Sequence, residues 1–394
     1  MPVYLDHAAT TPVFPEVIEA MAEQRMQVGN PSSLHTAGRA ARRVVEESRE
    51  RLAARVGARP SEVVFTSGGT ESDNLAVAGV FHARRDADPR RRRILLSTIE
   101  HHAVLDCVTA LAERVGAEPT WLPCDETGVV DPALVAAEID RDPASVALVS
   151  VMWANNEVGT IQDVPAIAAA AHVHGIPVHT DAVQAVGHLP VDFAASGADL
   201  LSLTAHKLGG PAGAGALLVR RDVEVVPLSQ GGGQERQIRS GTLDAAGILG
   251  LSLALDRAVA DLAQEAARVC HLRDRLLRGA LELGLGLTVG GAWTAGDCRS
   301  RLPGNAHLLV PDCEGDSLLY LLDAAGIECS TGSACQAGVP QPSHVLLAMG
   351  LTDRAARGAL RFSLGHTSTR ADVEAVLAAL PAAIGRARRA AGVA

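Results

Sequence analysis

One residue type is almost missing from this chain: of its 35 lysines and arginines, only Lys207 is a lysine. On a solvated surface arginine replaces lysine with little consequence. It cannot do so where an amine must lose its proton and attack a carbonyl, because a guanidinium stays protonated in a protein. The lone lysine is either a compositional survivor or an amine kept for covalent chemistry, and composition alone leaves both open. Aromatic residues are also scarce, at 3%, so the core must be built from alanine, valine and leucine. There is no excess of positive charge. The formal net charge is −10, which argues against nucleic-acid binding. The one basic run, Arg90–Arg93, reads as a solvated turn. The seven cysteines (Cys107, Cys124, Cys270, Cys298, Cys313, Cys329 and Cys335) are odd in number and form no CxxC pair. That excludes a complete disulfide framework and a zinc ribbon, and no metal site is expected. The first residues, MPVYLDHAATTP, contain neither a basic nor an apolar signal region. No uncharged apolar run is long enough to span a bilayer. A cytoplasmic protein with no membrane attachment is expected.

What is present is regular alternation. A length of 394 residues exceeds one ordinary core and favours two domains. Helical spacing covers Pro15–Met26 and again Thr36 to Gly57, with Ser32 or Ser33 as the expected cap. Short apolar strands are then expected at Glu62–Phe65, Ile94–Ser97, Thr120–Leu122, Val146–Val151, Pro177–Thr180, Leu200–Thr204 and Ala214–Val219, most of them separated by helical segments. Strands apolar throughout indicate a parallel sheet covered on both faces. A helix-rich stretch, Leu262–Glu282, leads into a second α+β region.

In such a sheet ligands bind beyond the carboxyl ends of the strands, and several polar groups fall there. The turn Ser67-Gly68-Gly69-Thr70 lies between a strand and a helix, where backbone N–H groups can cradle a phosphate. It is neither a GxGxxG nor a Walker loop. Asp181 ends a buried strand, a costly place for a carboxylate that does not meet a cation. Glu100-His101-His102 and Asn155-Asn156-Glu157 follow two other strands. The adjacent histidines are expected to point different ways, so that one can stack on a flat ligand or shuttle protons. Lys207 itself follows Leu200–Thr204, beside Thr204 and His206. Together these groups specify pyridoxal 5′-phosphate: a phosphate cradle, a partner for the ring nitrogen and a Schiff-base amine. In the second region, Cys335 sits among small residues in Ser330-Thr331-Gly332-Ser333-Ala334-Cys335-Gln336-Ala337-Gly338, which reads as a mobile loop carrying an available thiol. Arg361 opens a strand-like segment and is suited to clamp a carboxylate or to make a structural ion pair.

The runs YLDHAATTP, GNPSSLH, FTSGGTESDNLA, EHHAVL, WANNEVGT, HTDAVQAVG, TAHKLGGP, GGGQERQIRSGT, STGSAC and RFSLGHT occur in the order found in cysteine desulfurases. The chain resembles the NifS/IscS-like group of these class V, fold-type I pyridoxal-phosphate enzymes from Tyr4 to about His366. The resemblance implies a large α/β domain over 15–260 with a mostly parallel seven-stranded sheet. It implies a smaller α+β domain from 1–14 and 261–394. Lys207 would hold the cofactor and move the Cα proton, Asp181 would pair with the pyridinium nitrogen, and Gln184, with Asn156, would reach the ring oxygen. His101 would stack on the ring. Gly69, Thr70, Thr204 and His206 would bind the phosphate, and Thr242 would reach the phosphate of the other subunit of a homodimer. Asn30 and Arg361 would position the carboxylate of L-cysteine, and Cys335 would accept its sulfur and pass it to an acceptor protein such as an iron–sulfur scaffold. The sequence departs from many relatives in reading Thr204-Ala205-His206-Lys207-Leu208-Gly209, without the usual serine and tyrosine. Selenocysteine lyases and other class V enzymes share all of this but the need for Cys335. A non-catalytic sulfur carrier or redox sensor would leave Lys207, Asp181 and the phosphate turn unexplained.

Overall fold

The computed structural model describes residues 2–332 and 342–392. Its strands are β1 (Val3–Tyr4), β2 (Val63–Thr66), β3 (Arg93–Ser97), β4 (Glu118–Leu122), β5 (Val146–Ser150), β6 (Val178–Asp181), β7 (Leu200–Thr204), β8 (Gly215–Val219), β9 (Thr288–Val289), β10 (Asn305–Leu309), β11 (Ile327–Glu328) and β12 (Ala359–Ser363). The helices run α1 (Pro15–Arg25), α2 (Thr36–Arg55), α3 (Gly69–Ala87), α4 (His102–Val115), α5 (Pro132–Asp140), α6 (Val164–His172), α7 (Phe193–Ser196), α8 (Ala245–Ala260), α9 (Leu262–Glu282), α10 (Gly315–Asp323), α11 (His344–Ala348), α12 (Asp353–Arg357) and α13 (Arg370–Ala390).

The seven expected strands form one sheet in the order β2-β8-β7-β6-β5-β3-β4. Every residue of β5, β6, β7 and β8 is buried, which explains why these strands read as continuous apolar runs rather than alternating ones. The exception to parallel pairing is β8, antiparallel to both β2 and β7. The link from Thr204 to Gly215 is too short for a crossover helix, so the chain must return antiparallel. That short link carries Lys207. The other strands share one carboxyl edge, where Ser67–Thr70, His101, Asp181 and Thr204 converge.

A second region contains the antiparallel sheet β12-β10-β9 and the parallel pair β1-β11. Leu5 joins Leu276, Leu308, Leu318, Phe362 and Val376 in its apolar core. Bridges from Asp6 to Ser363 and from Ser330 to Arg361 fasten the N-terminal stretch and the end of β11 to β12. Arg361 therefore lies in mid-strand rather than opening one.

Two local expectations change. The cap of α2 is His35, whose Nδ1 accepts from Gly38 N at 3.3 Å. Ser32 and Ser33 are already committed to a turn, each donating its backbone N–H to Asn30 at 2.9 Å. The Arg90–Arg93 run is not simply a solvated turn. Arg91, Arg92 and Arg93 donate to the carbonyls of Val146, Gly116 and Glu138, stitching the start of β3 to its neighbours.

The open side of edge strand β2 is closed by side chains. Glu235 accepts from Phe65 N at 2.9 Å and takes a two-pronged bond from Arg49 at 2.7 and 2.8 Å. Arg49 also donates to the Val63 carbonyl. Glu235 is 1% exposed, so cutting it away strands a largely buried guanidinium and an edge N–H. Glu235→Ala should cost about 3–5 kcal/mol and lower the thermal midpoint. Glu235→Gln, which keeps an acceptor for Phe65 N, should fall between that variant and wild type when the three are compared by calorimetry.

Candidate active site

A cavity of about 440 Å³ opens at the carboxyl edge of the large sheet. Gly69, Thr70, His101, Asn156, Asp181, Gln184, Thr204, His206, Lys207 and Arg361 all border it. Asn30 and Thr242 are exposed and are not among its lining residues. Cys335 lies outside the described residues, although Ser330, Gly332 and His344, which bracket its stretch, border the same cavity.

Lys207 ends the one-turn 3₁₀ segment after β7. Its Nζ donates to the carbonyl of Ala8, which also accepts from Gln184 Nε2 at 3.0 Å. The N-terminal stretch thus folds over the site and orients both side chains. Burial, assisted by the Arg361 charge, brings the Lys207 amine down to about 8. A desolvated ammonium is disfavoured relative to the neutral amine.

Asp181 shows the opposite response to the same environment. Burial and then the nearby Asp73 push its carboxyl up to about 6, while one backbone bond from Val183 N, at 2.9 Å, supports the anion. His101 caps α4 by accepting from Ala103 N through Nδ1 at 3.1 Å. In the neutral ring the proton is therefore on Nε2, and burial holds the ring below its ordinary pKa. His102 borders the cavity too, but Asp106 engages it at 3.2 Å and its ring meets His344 edge-on. The two histidines have different partners, and no group suited to a metal ion occurs among the described residues.

At the phosphate turn, α3 begins at Gly69 after Gly68 at φ 154°. A Cβ on Gly69 would come within 2.8 Å of Val183 Cγ2, so only glycine permits this approach. Thr204 is 1% exposed. His206 is pushed down to about 4 by burial and by Lys207, so it enters the site uncharged. Arg361 is bonded to Asp6 at 2.7 Å and to the Asn156 carbonyl at 2.9 Å. Its Nε is buried without a partner. It is an ion pair that borders the cavity and keeps one buried donor unpartnered.

The family model for aminotransferase class V matches residues 3–376. The chain is 58% identical over 388 residues to an IscS-like cysteine desulfurase of Mycobacterium tuberculosis (strain ATCC 25618 / H37Rv), with 98% of each chain covered. The chain belongs to the cysteine desulfurases of the class V family. Solved structures agree with this. A NifS-like protein superposes with a TM-score of 0.86 at 34% identity over 100% of both chains. SspA in complex with cysteine gives 0.77 at 33% identity, covering 92% of this chain and 98% of that one.

The desulfurase cavity also contains residues that sequence reasoning left without a role. Asp73, on the second turn of α3, is 1% exposed and pushed up to about 7 by burial. Its signal was a carboxylate just ahead of the buried run Leu75–Phe81. Glu157 is 3% exposed, accepts from Ser343 Oγ at 2.5 Å, and is shifted upward by burial. His344 Nε2 bonds the Glu100 carbonyl at 3.0 Å. Glu157 and Glu100 thereby anchor residues 343–344 against the large sheet, a long-range contact with no local signature.

With its pKa near 8, roughly a quarter of Lys207 is neutral at pH 7.5. An unperturbed lysine would be about one part in a thousand neutral. In ligand-free protein, acylation of the single lysine-bearing peptide, followed by mass spectrometry, should rise with a midpoint near pH 8. A midpoint near 10.5 would refute activation by burial.

Proposed function

We propose that this desulfurase binds pyridoxal 5′-phosphate in the cavity and uses it to remove sulfur from L-cysteine, giving L-alanine and a persulfide on Cys335. The observation that carries this reading is the meeting of the only lysine, held near neutrality, with Asp181 in one cavity. The residues suit the cofactor. Gly69 and Thr70 begin α3 at the cavity wall, where a helix N-terminus suits a phosphate. Among the described residues no cation pairs with Asp181, and a protonated pyridine nitrogen would be one.

When bound, the cofactor supplies an electron sink for the substrate's Cα–H and Cβ–S bonds. The chain's residues do the rest. Lys207 would hold the cofactor through its amine, which burial brings down to about 8, and the same amine would take the Cα proton. Asp181 would pair with the ring nitrogen and keep it protonated. Gln184 and Asn156 would reach the ring oxygen, and Gly69, Thr70, Thr204 and His206 would hold the phosphate. His101 would stack on the ring, its proton on Nε2. Arg361, which borders the cavity, would receive the substrate carboxylate, with Asn30 assisting. Cys335 attacks the substrate sulfur, and the persulfide passes to an acceptor protein of iron–sulfur cluster assembly or tRNA thiolation.

In this reading residues 15–260 form the cofactor domain, and 1–14 with 261–394 form the small domain. The protein works as a cytoplasmic homodimer in which Thr242 completes the partner's phosphate site. In support of a soluble enzyme, no helix among the described residues is long and apolar enough to cross a membrane.

Lys207→Ala should lose the visible absorption of the bound cofactor and at least about 10²–10⁴-fold of alanine formation. Cys335→Ser should stay yellow yet release no alanine from cysteine. Normal turnover by Cys335→Ser would remove the sulfur-acceptor assignment, and an unchanged spectrum in Lys207→Ala would remove that of the lysine.

A further inference from the structure

Away from the cavity, α9 carries Cys270 on its buried face, 4% exposed. The half-buried Cys298, on the strap between β9 and β10, lies within hydrogen-bonding reach of it. One arginine gathers the two segments. Arg273 Nη2 donates to Cys270 Sγ at 3.1 Å and to the carbonyl of Asp297, the residue before Cys298, at 3.0 Å. The same guanidinium pairs with Asp274 at 2.8 Å. Asp274 in turn accepts from Trp293 Nε1 at 2.9 Å and Gly296 N at 2.5 Å, both on the strap. Both cysteines border a groove of about 670 Å³, through which a small oxidant can enter.

We propose that Cys270 and Cys298 are a dithiol that hydrogen peroxide converts to an intramolecular disulfide, a modification site separate from the desulfurising cavity. Cys298, the more accessible sulfur, reacts first. As thiolate it attacks peroxide: an S–O bond forms, the O–O bond breaks, and the hydroxide released takes up the thiol proton as water. The Cys270 sulfur then attacks the sulfenic sulfur of Cys298. An S–S bond forms and the hydroxyl leaves with the Cys270 proton as a second water. Two thiols lose two electrons in all, and one peroxide is reduced to two waters. Burial and the contact with Cys298 raise Cys270 to about 12, partly offset by Arg273, so Cys270 stays a thiol while Cys298 meets the peroxide.

The bond would brace a strap that leans on the active-site turn. Ser300 O accepts from Ile161 N at 3.0 Å, Leu302 N donates to Gly159 O at 2.8 Å, and Asn305 Nδ2 donates to Glu157 O at 2.8 Å.

Full-length protein treated with peroxide, alkylated and digested without reductant should yield a peptide pair joining Cys270 to Cys298. The pair should be short of two hydrogens and be split by dithiothreitol. In Cys298→Ser the pair should vanish and Cys270 should be recovered alkylated. Wild-type protein in which Cys298 proceeds to the sulfinic acid while Cys270 stays reduced would overturn the proposal. So would a disulfide from Cys298 to any other cysteine.

Discussion

Burial of one amine is the constraint on which this structure depends. A lysine is a nucleophile near neutral pH only where its charge is disfavoured, and desolvation is the means used here. The same low-polarity environment acts in the opposite sense on acids. Asp181, Asp73 and Glu100 are pushed up to about 6, 7 and 8, each chiefly by burial. Neutral lysine and reluctant carboxylates are therefore two expressions of one arrangement. It holds only if water is kept out, and the Asp6–Thr11 stretch contributes to this. Its Ala8 carbonyl accepts from Lys207 and Gln184, and Thr11 N bonds the His206 carbonyl at 2.9 Å.

Topology places the amine where this environment exists. The return from β7 to β8 is too short to cross over, so the chain reverses at the carboxyl edge of the sheet and leaves Lys207 there. Asp181 reaches the same edge at the end of the adjacent β6, in register with Ser202. Neighbouring parallel strands thus deliver the acid and the base to one end without any loop having to fold back. His101 arrives by a related route, as the capping residue of the helix after β3, and its cap bond fixes which nitrogen carries the proton.

Much of this was legible in the sequence because it is written locally. Apolar runs marked most of the seven strands, and glycine and threonine marked the turn into α3 that borders the cavity. The scarcity of lysine drew attention to Lys207. The reversal of β8 escaped the pattern, since a strand buried on both faces has the same composition in either direction. The missed residues share a different property. Glu157 and Ser343, or Glu235 and Phe65, meet across 186 and 170 residues, and no spacing rule reaches that far. Asp6 and Arg361 are similar: each stood in a readable motif, but their pairing exists only because β1 and β12 are brought together.

The balance of charge in the cavity turns on two carboxyls. Among the described residues around it the cationic side chains are Lys207, which burial drives toward neutrality, and Arg361, which Asp6 already engages. The Asp73 charge disfavours ionisation of Asp181, on top of the burial that raises both. Of two carboxyls so placed, the lower-energy arrangement leaves one protonated. A cationic group beside Asp181 would reverse that preference, stabilising its anion and leaving the proton on Asp73, whose ionisation Ser202 assists.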